Sequence, residues 1–287
     1  MTVMQKLSKA KSIGKWVDLH IHTTASDSLL TPQEVVEIAK ECELSAISIT
    51  DHDAIDGFVE AEQKAEELGI ELVPGVELSV SYKGEDFHLL GYLIDYENPE
   101  FLKKINSFRE ERFIRGEKMV EKLNELGIDL RMETVKSIAG NGSVGRPHLA
   151  DALVKEEFVH TYDEAFARYL GYHAPAYVPK KYLTPKEAID LIHLVRGVAV
   201  FAHPGTSRSQ QAIYDFLEMG LDGIEAYHCQ HDRYVTTHHI NLAKKLGLIY
   251  TGGSDCHGRR KGKILIGTVK VPYRCLEMLR KVKEENY

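Results

Sequence analysis

The chain reads as an α/β protein, a barrel interrupted by a helical insertion. Short apolar segments alternate with helix-like ones from Trp16 to about Tyr96, and again from Thr184 onward. Between them lies a charged stretch without a convincing strand. Histidines and carboxylates recur just after the apolar segments. In parallel α/β folds the C-terminal ends of the strands form the active-site face, so these groups are expected to share one rim.

The elements follow from local chemistry. Trp16–His20 reads as a strand. Thr31-Pro32 is an N-cap with a first-turn proline and opens a helix to about Glu43. Ala46–Thr50 is a short apolar strand. Asp56 to Leu68 is helical, with Gly69 supplying a left-handed end. Glu71 to Val80 is strand-like but broken by Pro74-Gly75, and Phe87 to Ile94 follows a Lys83-Gly84 turn. Asn98 to Leu126 is a long charged helix, followed by helical segments near 133–139, 146–155 and 162–170. Beyond the Pro-rich run 174–179, alternation resumes with helices at 184–196, 210–219, 232–246 and 272–285. Strands are expected at 198–202, 222–227, 248–251 and 263–269. About seven strands suit barrel closure better than an open sheet. The expected organisation is a first barrel part over residues 1–97, a substrate-capping insertion over 98–180 and a second barrel part over 181–287.

Composition narrows the class. The 287 residues carry 36 basic and 43 acidic side chains, a net charge of −7. Bulk electrostatics therefore disfavour duplex nucleic-acid binding. The cysteines Cys42, Cys229, Cys256 and Cys275 show no C-x-x-C pair, so neither a zinc knuckle nor a disulfide framework is expected. A reducing, cytoplasmic compartment fits. The polar, basic N-terminus shows no signal-peptide core, and no apolar run is long enough for a membrane span. No obligate protein partner is evident.

His20 and His22 are two apart, as are Asp255 and His257. In an extended strand, residues i and i+2 point to the same face, so each pair offers two metal-capable groups to one point. More than 230 residues separate the pairs, so only a closed fold can unite them. Asp51-His52-Asp53, Glu77, His88, His203 and His228 fall after or within other strands. Individually these are ordinary features: Asp51-His52-Asp53 also fits a helix cap and turn, and His203 before Pro-Gly fits a loop. Together, mixed imidazole and carboxylate ligands suit zinc, manganese or iron. Roughly nine ligands at three or four per ion imply two or three metals. Clustered metals suit phosphoryl hydrolysis.

Asp18-Leu19-His20-Ile21-His22, Ser26-Asp27, Thr50-Asp51-His52, Gly75-Val76-Glu77, Phe201-Ala202-His203-Pro204 and Gly253-Ser254-Asp255-Cys256-His257 together resemble the PHP (polymerase and histidinol phosphatase) family. The resemblance runs in order from about residue 16 to 270. It implies a distorted (β/α)7 barrel carrying two or three divalent metals, manganese first, with iron or zinc as alternatives. His20, His22, Glu77 and Asp255 would hold one metal and Asp27, His52 and His257 a second. Glu77 would bridge to a third, completed by His88 and His203. Ser28 departs from the glycine usual after Ser-Asp.

The insertion segment Gly145-Arg146-Pro147-His148-Leu149-Ala150, with Ala176-Tyr177-Val178-Pro179 and Thr184-Pro185-Lys186-Glu187-Ala188, resembles a particular subgroup. Its members hydrolyse nucleoside 3′,5′-bisphosphates and short oligonucleotides. The resemblance implies a phosphatase, and for short oligonucleotides a 5′-end exonuclease, working by attack of a metal-bound hydroxide on the 3′-phosphate. Arg146 would contact the substrate phosphate, as a planar bidentate donor suits. His148 and His231 are candidate substrate contacts, and His228 is a candidate proton donor as well as a contact. Lys180 and Arg208 offer a second phosphate site, with solvated surface the simpler reading. His160, His173, His193, His238 and His239 read as structural or surface residues. The stripe Phe101, Ile105, Phe108 and Arg112 reads as packing within the insertion. The alternatives are a histidinol phosphatase and a non-catalytic metal-binding accessory module.

Overall fold

A computed structural model of the protein describes residues 15–179, 183–206, 211–260 and 262–287. Lys180 and Arg208 lie outside the described residues. Eight strands form one sheet: β1 (Trp16–Ile21), β2 (Ala46–Ile49), β3 (Glu71–Tyr82), β4 (Glu85–Tyr92), β5 (Val198–Phe201), β6 (Gly223–His228), β7 (Ile249–Gly253) and β8 (Val271–Pro272). The sheet order is β7-β6-β5-β4-β3-β2-β1-β8. The sheet curls until its two ends meet at one rim. There Asp255 N–H donates to His20 O at 2.8 Å and His22 N–H to Cys256 O at 3.1 Å. A Cβ on Gly253 would lie 2.4 Å from His20, so glycine is what lets the last long strand approach the first.

Two expectations about the strands need correction. The segment 263–269 is not a strand. Gly262 and Gly267 have φ of +100° and +71°, which breaks extension, and Gly267 N–H donates to the Asp18 carboxylate instead. The eighth strand comes just after, antiparallel to β1. Second, Pro74-Gly75 does not interrupt β3, which pairs with β2 through Pro74 and with β4 from Gly75 onward. Proline is tolerated there because its carbonyl still accepts, from Leu93 N–H at 2.7 Å.

The sheet is parallel on both flanks, β1-β2-β3 and β5-β6-β7, but β4 runs antiparallel to both its neighbours. His88 therefore does not follow a strand end. It lies mid-strand in β4, opposite Ser79. The reversed direction of β4 brings this middle section to the rim where the parallel strands finish.

Helices cover the barrel as the caps predicted. Pro32–Glu41 opens on Thr31 in a full capping box with Glu34, and Asp56–Leu68 closes on Gly69 at φ +65°. The long helix α3 (Pro99–Glu125, the third after those two) divides its loyalties. Phe101, Ile105 and Phe108 pack into the barrel core, not among the insertion helices. From Met119 onward α3 joins a separate apolar cluster with Val135, Leu149, Leu153 and Leu170. Arg112 sits between the two. Its guanidinium reaches the Asp53 carboxylate at 2.6 and 2.8 Å, and both side chains are less than 10% exposed. The stripe read as insertion packing is instead the seam that docks α3 on the barrel.

This seam has a measurable weight. Arg112→Ala takes the cation from a buried carboxylate, and breaking such a pair one-sidedly costs about 3–5 kcal/mol. The expected result is a lower urea midpoint with a similar slope on the unfolding curve.

Candidate metal centre

All nine residues expected to hold metal come together at the rim. His20, His22, Glu77 and Asp255 form one group, His22, Asp27, His52 and His257 a second, and His52, Glu77 and His88 a third. Within each group the candidate atoms lie within 4.8 Å of one another. His203 completes the third corner, with Nε2 3.2 Å from Glu77 Oε1 and 3.4 Å from His88 Nδ1. A cavity of about 210 Å3 opens over the cluster, walled by His52, Glu77, His88, His203, His228 and Asp255 among others.

The backbone brings these groups in by two devices. His20 is the next-to-last residue of β1 and His22 lies just past the strand, and their Nε2 atoms are 3.2 Å apart, as the pleat predicts. Asp255 and His257 converge differently, because β7 stops at Gly253. Asp255 adopts a left-handed φ of +52°, and His257 Nδ1–H donates to its carbonyl at 2.9 Å. Asp53 at +52° and His203 at +33° share this conformation, which L-residues avoid. Three such positions on one rim mark backbone turned to aim side chains.

The donor chemistry fits cations. His20 and His22 are fully buried, and their facing Nε2 atoms cannot both carry protons. His22 Nδ1 is buried without a hydrogen-bond partner, and His52 Nδ1 faces the buried Glu77 Oε2 at 3.1 Å. Burial alone would raise the Glu77 carboxyl, but His88, His52 and His20 pull it well below the usual carboxylate range. Asp27 is also depressed against the effect of burial, by His257 and His52, and Asp255 by His20 and His257. Burial opposes a proton on His22, yet hydrogen bonds to Asp255 and Glu77 raise its pKa to about 10. The carboxylates therefore face the cluster ionised, and His22 holds its second ring proton tightly.

A ring of groups absent from the expected ligand set braces the cluster. Glu225 is buried in β6. Its Oε1 accepts from His20 Nδ1–H at 3.0 Å, leaving Nε2 to face the cluster, and its Oε2 accepts from His203 N–H at 2.8 Å. Asp51 accepts from Thr23 N–H and Oγ–H and from Ser26, pinning the loop that carries Asp27. Asp53 accepts from Ser79 N–H at 2.8 Å. Asp18 accepts from Ser254 N–H at 2.8 Å, beside Asp255. Ser28 has no left-handed φ, so serine fits where glycine was expected, and its Oγ accepts from Leu30 N–H. Arg260 was not singled out from the sequence. It donates to Asp27 O at 3.1 Å, pairs with Asp151 and lies over the Tyr162 ring. The signal for Glu225 was a lone carboxylate inside an apolar strand. For Arg260 no pattern in the sequence pointed to the site.

The substrate-side candidates divide. The Arg146 guanidinium sits in an aromatic cradle, 5.9, 5.6 and 5.6 Å from the ring centres of Phe166, Tyr172 and Tyr177. His148 Nδ1 accepts from Gly145 N–H at 3.0 Å, and burial lowers its pKa to about 4, so it is a neutral ring with a proton on Nε2. His228 Nδ1 accepts from Gln230 N–H at 3.2 Å, and Nε2–H faces Asp255 Oδ2 at 3.4 Å. His231 lines the wall beside His228 and is held by two backbone contacts. Its Nδ1–H donates to Ala226 O and its Nε2 accepts from Gly205 N–H, so both nitrogens brace the loop after His203. His193 is structural, paired with Asp222 at 2.8 Å.

Metal affinity is expected to rise with pH, because cations must displace protons from imidazoles whose affinity for them is raised. Calorimetry in buffers of different ionisation enthalpy reads this as proton release on binding. Glu225→Gln loosens the hold on His20 and is expected to weaken metal affinity by about 10–100-fold, read by competition with a chelating dye.

Comparison with known proteins agrees with this geometry. Residues 18–177 match the PHP domain family. A 5′-3′ exoribonuclease of Haemophilus influenzae is 35% identical over 248 residues, covering 85% of this chain and 90% of its own length. A 3′,5′-nucleoside bisphosphate phosphatase of Chromobacterium violaceum is 31% identical over 274 residues, covering 93% and 96%. Among solved structures, a proposed metal-dependent phosphoesterase of Bifidobacterium adolescentis superposes with a TM-score of 0.85 at 29% identity, over 92% of this chain and 95% of that one. The match spans more than half of the chain, and the similarity extends over most of its length: the protein belongs to the PHP domain family and is a metal-dependent phosphoesterase.

Proposed function

We propose that the protein removes the 3′-phosphate of nucleoside 3′,5′-bisphosphates and trims short oligonucleotides from the 5′ end, with two or three divalent cations, manganese first, in the nine-residue cluster. The observation that carries this reading is the pairing of the cluster with the insertion's G-R-P-H segment. Arg146 and His148 open the helix Arg146–Lys155, and Arg260 ties that segment to Asp27. Pro147 O lies 3.5 Å from the Arg260 guanidinium, which also donates to Asp27 O. The relatives named above act on the same two kinds of substrate.

Cations in the cluster would activate water and neutralise charge on the phosphate. The protein's own groups supply the rest. His20, His22, Asp27, His52, Glu77, His88, His203, Asp255 and His257 hold the cations, and Glu225 keeps His20 in one tautomer. The Arg146 guanidinium, kept planar and oriented by its three rings, binds a substrate phosphate with bidentate geometry. His148 presents a neutral Nε2–H as a second donor. His228 borders the same cavity and, in its protonated form, would pass its Nε2 proton to the leaving oxygen. Water adds to phosphorus and gives up a proton to solvent, one P–O ester bond breaks, and the leaving oxygen takes the His228 proton, which solvent then replaces.

His52→Ala and Asp255→Ala are each expected to reduce phosphate release from adenosine 3′,5′-bisphosphate to background. Normal turnover in both variants would overturn the metal-dependent reading. A panel of adenosine 3′,5′-bisphosphate, a short RNA and histidinol phosphate tests the substrate, and preference for histidinol phosphate would overturn the nucleotide assignment.

A further inference from the structure

A second cavity, of about 440 Å3, adjoins the metal cavity. The two share His228, Gln230 and Asp255 as a common wall. Its size lies in the range that takes a small organic ligand. Leu265 and Val269 give it an apolar side, and Lys263, Thr268 and Gln230 a polar one. Lys263 is exposed and is the one lysine or arginine among its described lining residues, and no described carboxylate pairs with it. An unpaired ammonium beside an apolar wall, one shared wall away from a phosphate-hydrolysing centre, suits a ligand with both a flat apolar part and an anion.

We propose that this cavity is the subsite for a second nucleotide. It rests on the reading under Proposed function: the first nucleotide lies toward Arg146 and the scissile phosphate over the cluster. The next nucleoside then passes His228 and Gln230, its base lies along Leu265 and Val269, and Lys263 contacts the phosphate that follows. A nucleoside bisphosphate leaves this subsite vacant, whereas an oligonucleotide fills it. Lys263 is thus the residue that sets the preference for oligonucleotides over mononucleotides.

The test compares adenosine 3′,5′-bisphosphate with a 5′-phosphorylated triadenylate. Lys263→Glu is expected to lower the ratio of kcat/KM for the triadenylate to that for the bisphosphate about tenfold, the scale of one charge-assisted contact. Lys263→Arg is expected to restore most of it. An unchanged ratio overturns the proposal. A second readout does not need turnover. Cys229 is the exposed free cysteine at this wall, with Sγ 4.0 Å from His228 Nε2. The triadenylate is expected to slow alkylation of Cys229 by N-ethylmaleimide, followed by mass spectrometry, more than the bisphosphate does. Equal rates with the two ligands overturn the subsite. Absence of both phosphate release from the bisphosphate and mononucleotide release from the triadenylate in the wild-type protein would sink the proposed function, while the alkylation rates would still decide the subsite.

Discussion

Glu77 has no solvent exposure, and five imidazoles surround its carboxylate. His20 and His22 approach one oxygen at 3.3 and 3.2 Å and His52 at 3.1 Å, while His88 and His203 approach the other at 3.1 and 3.2 Å. A buried carboxylate is tolerable only with compensating charge. Here that compensation is the site itself. The five histidines come from β1 and the loop after it, the loop after β2, β4 and the loop after β5. Any arrangement that satisfies Glu77 must therefore hold most of the barrel in register. The closure of β1 against β7 serves the same point, since it delivers Asp255 to His20 and His22.

Around this cluster a second layer of carboxylates does the bracing. Glu225 orients His20 and the amide of His203, Asp51 pins the loop before Asp27, and Asp18 fastens Ser254 beside Asp255. Asp53 links the layer to the insertion through Arg112. Each acid is buried, and each spends its lone pairs on protein donors, which leaves the nine cluster residues as the groups whose lone pairs point inward. Division of labour among chemically similar side chains is thus set by what each faces.

Much of the site was legible because its chemistry is local. The His20/His22 pleat, the Thr31 cap and the Gly69 helix end depend on neighbours in sequence, and each appears as expected. The readings that failed depend on distant partners. Arg112 left the insertion for Asp53, and the segment 263–269 gave up its strand to two left-handed glycines. Arg260 was invisible because one basic residue in a loop carries no periodicity or spacing, only a place.

By itself the sequence determined the ligand inventory and the class of fold, because residue type dictates metal chemistry and apolar period dictates secondary structure. It also carried enough ordered motif to identify the family. The tertiary structure alone decided which acids face the cluster and which brace it. It also set the antiparallel β4 that brings His88 to the rim, and the cavity beyond His228. Those outcomes depend on strand direction, left-handed turns at Asp53, His203 and Asp255, and contacts across as many as 249 residues, as between Asp18 and Gly267. None of these leaves a trace in local composition, because burial and partner are properties of the closed barrel and not of any one segment.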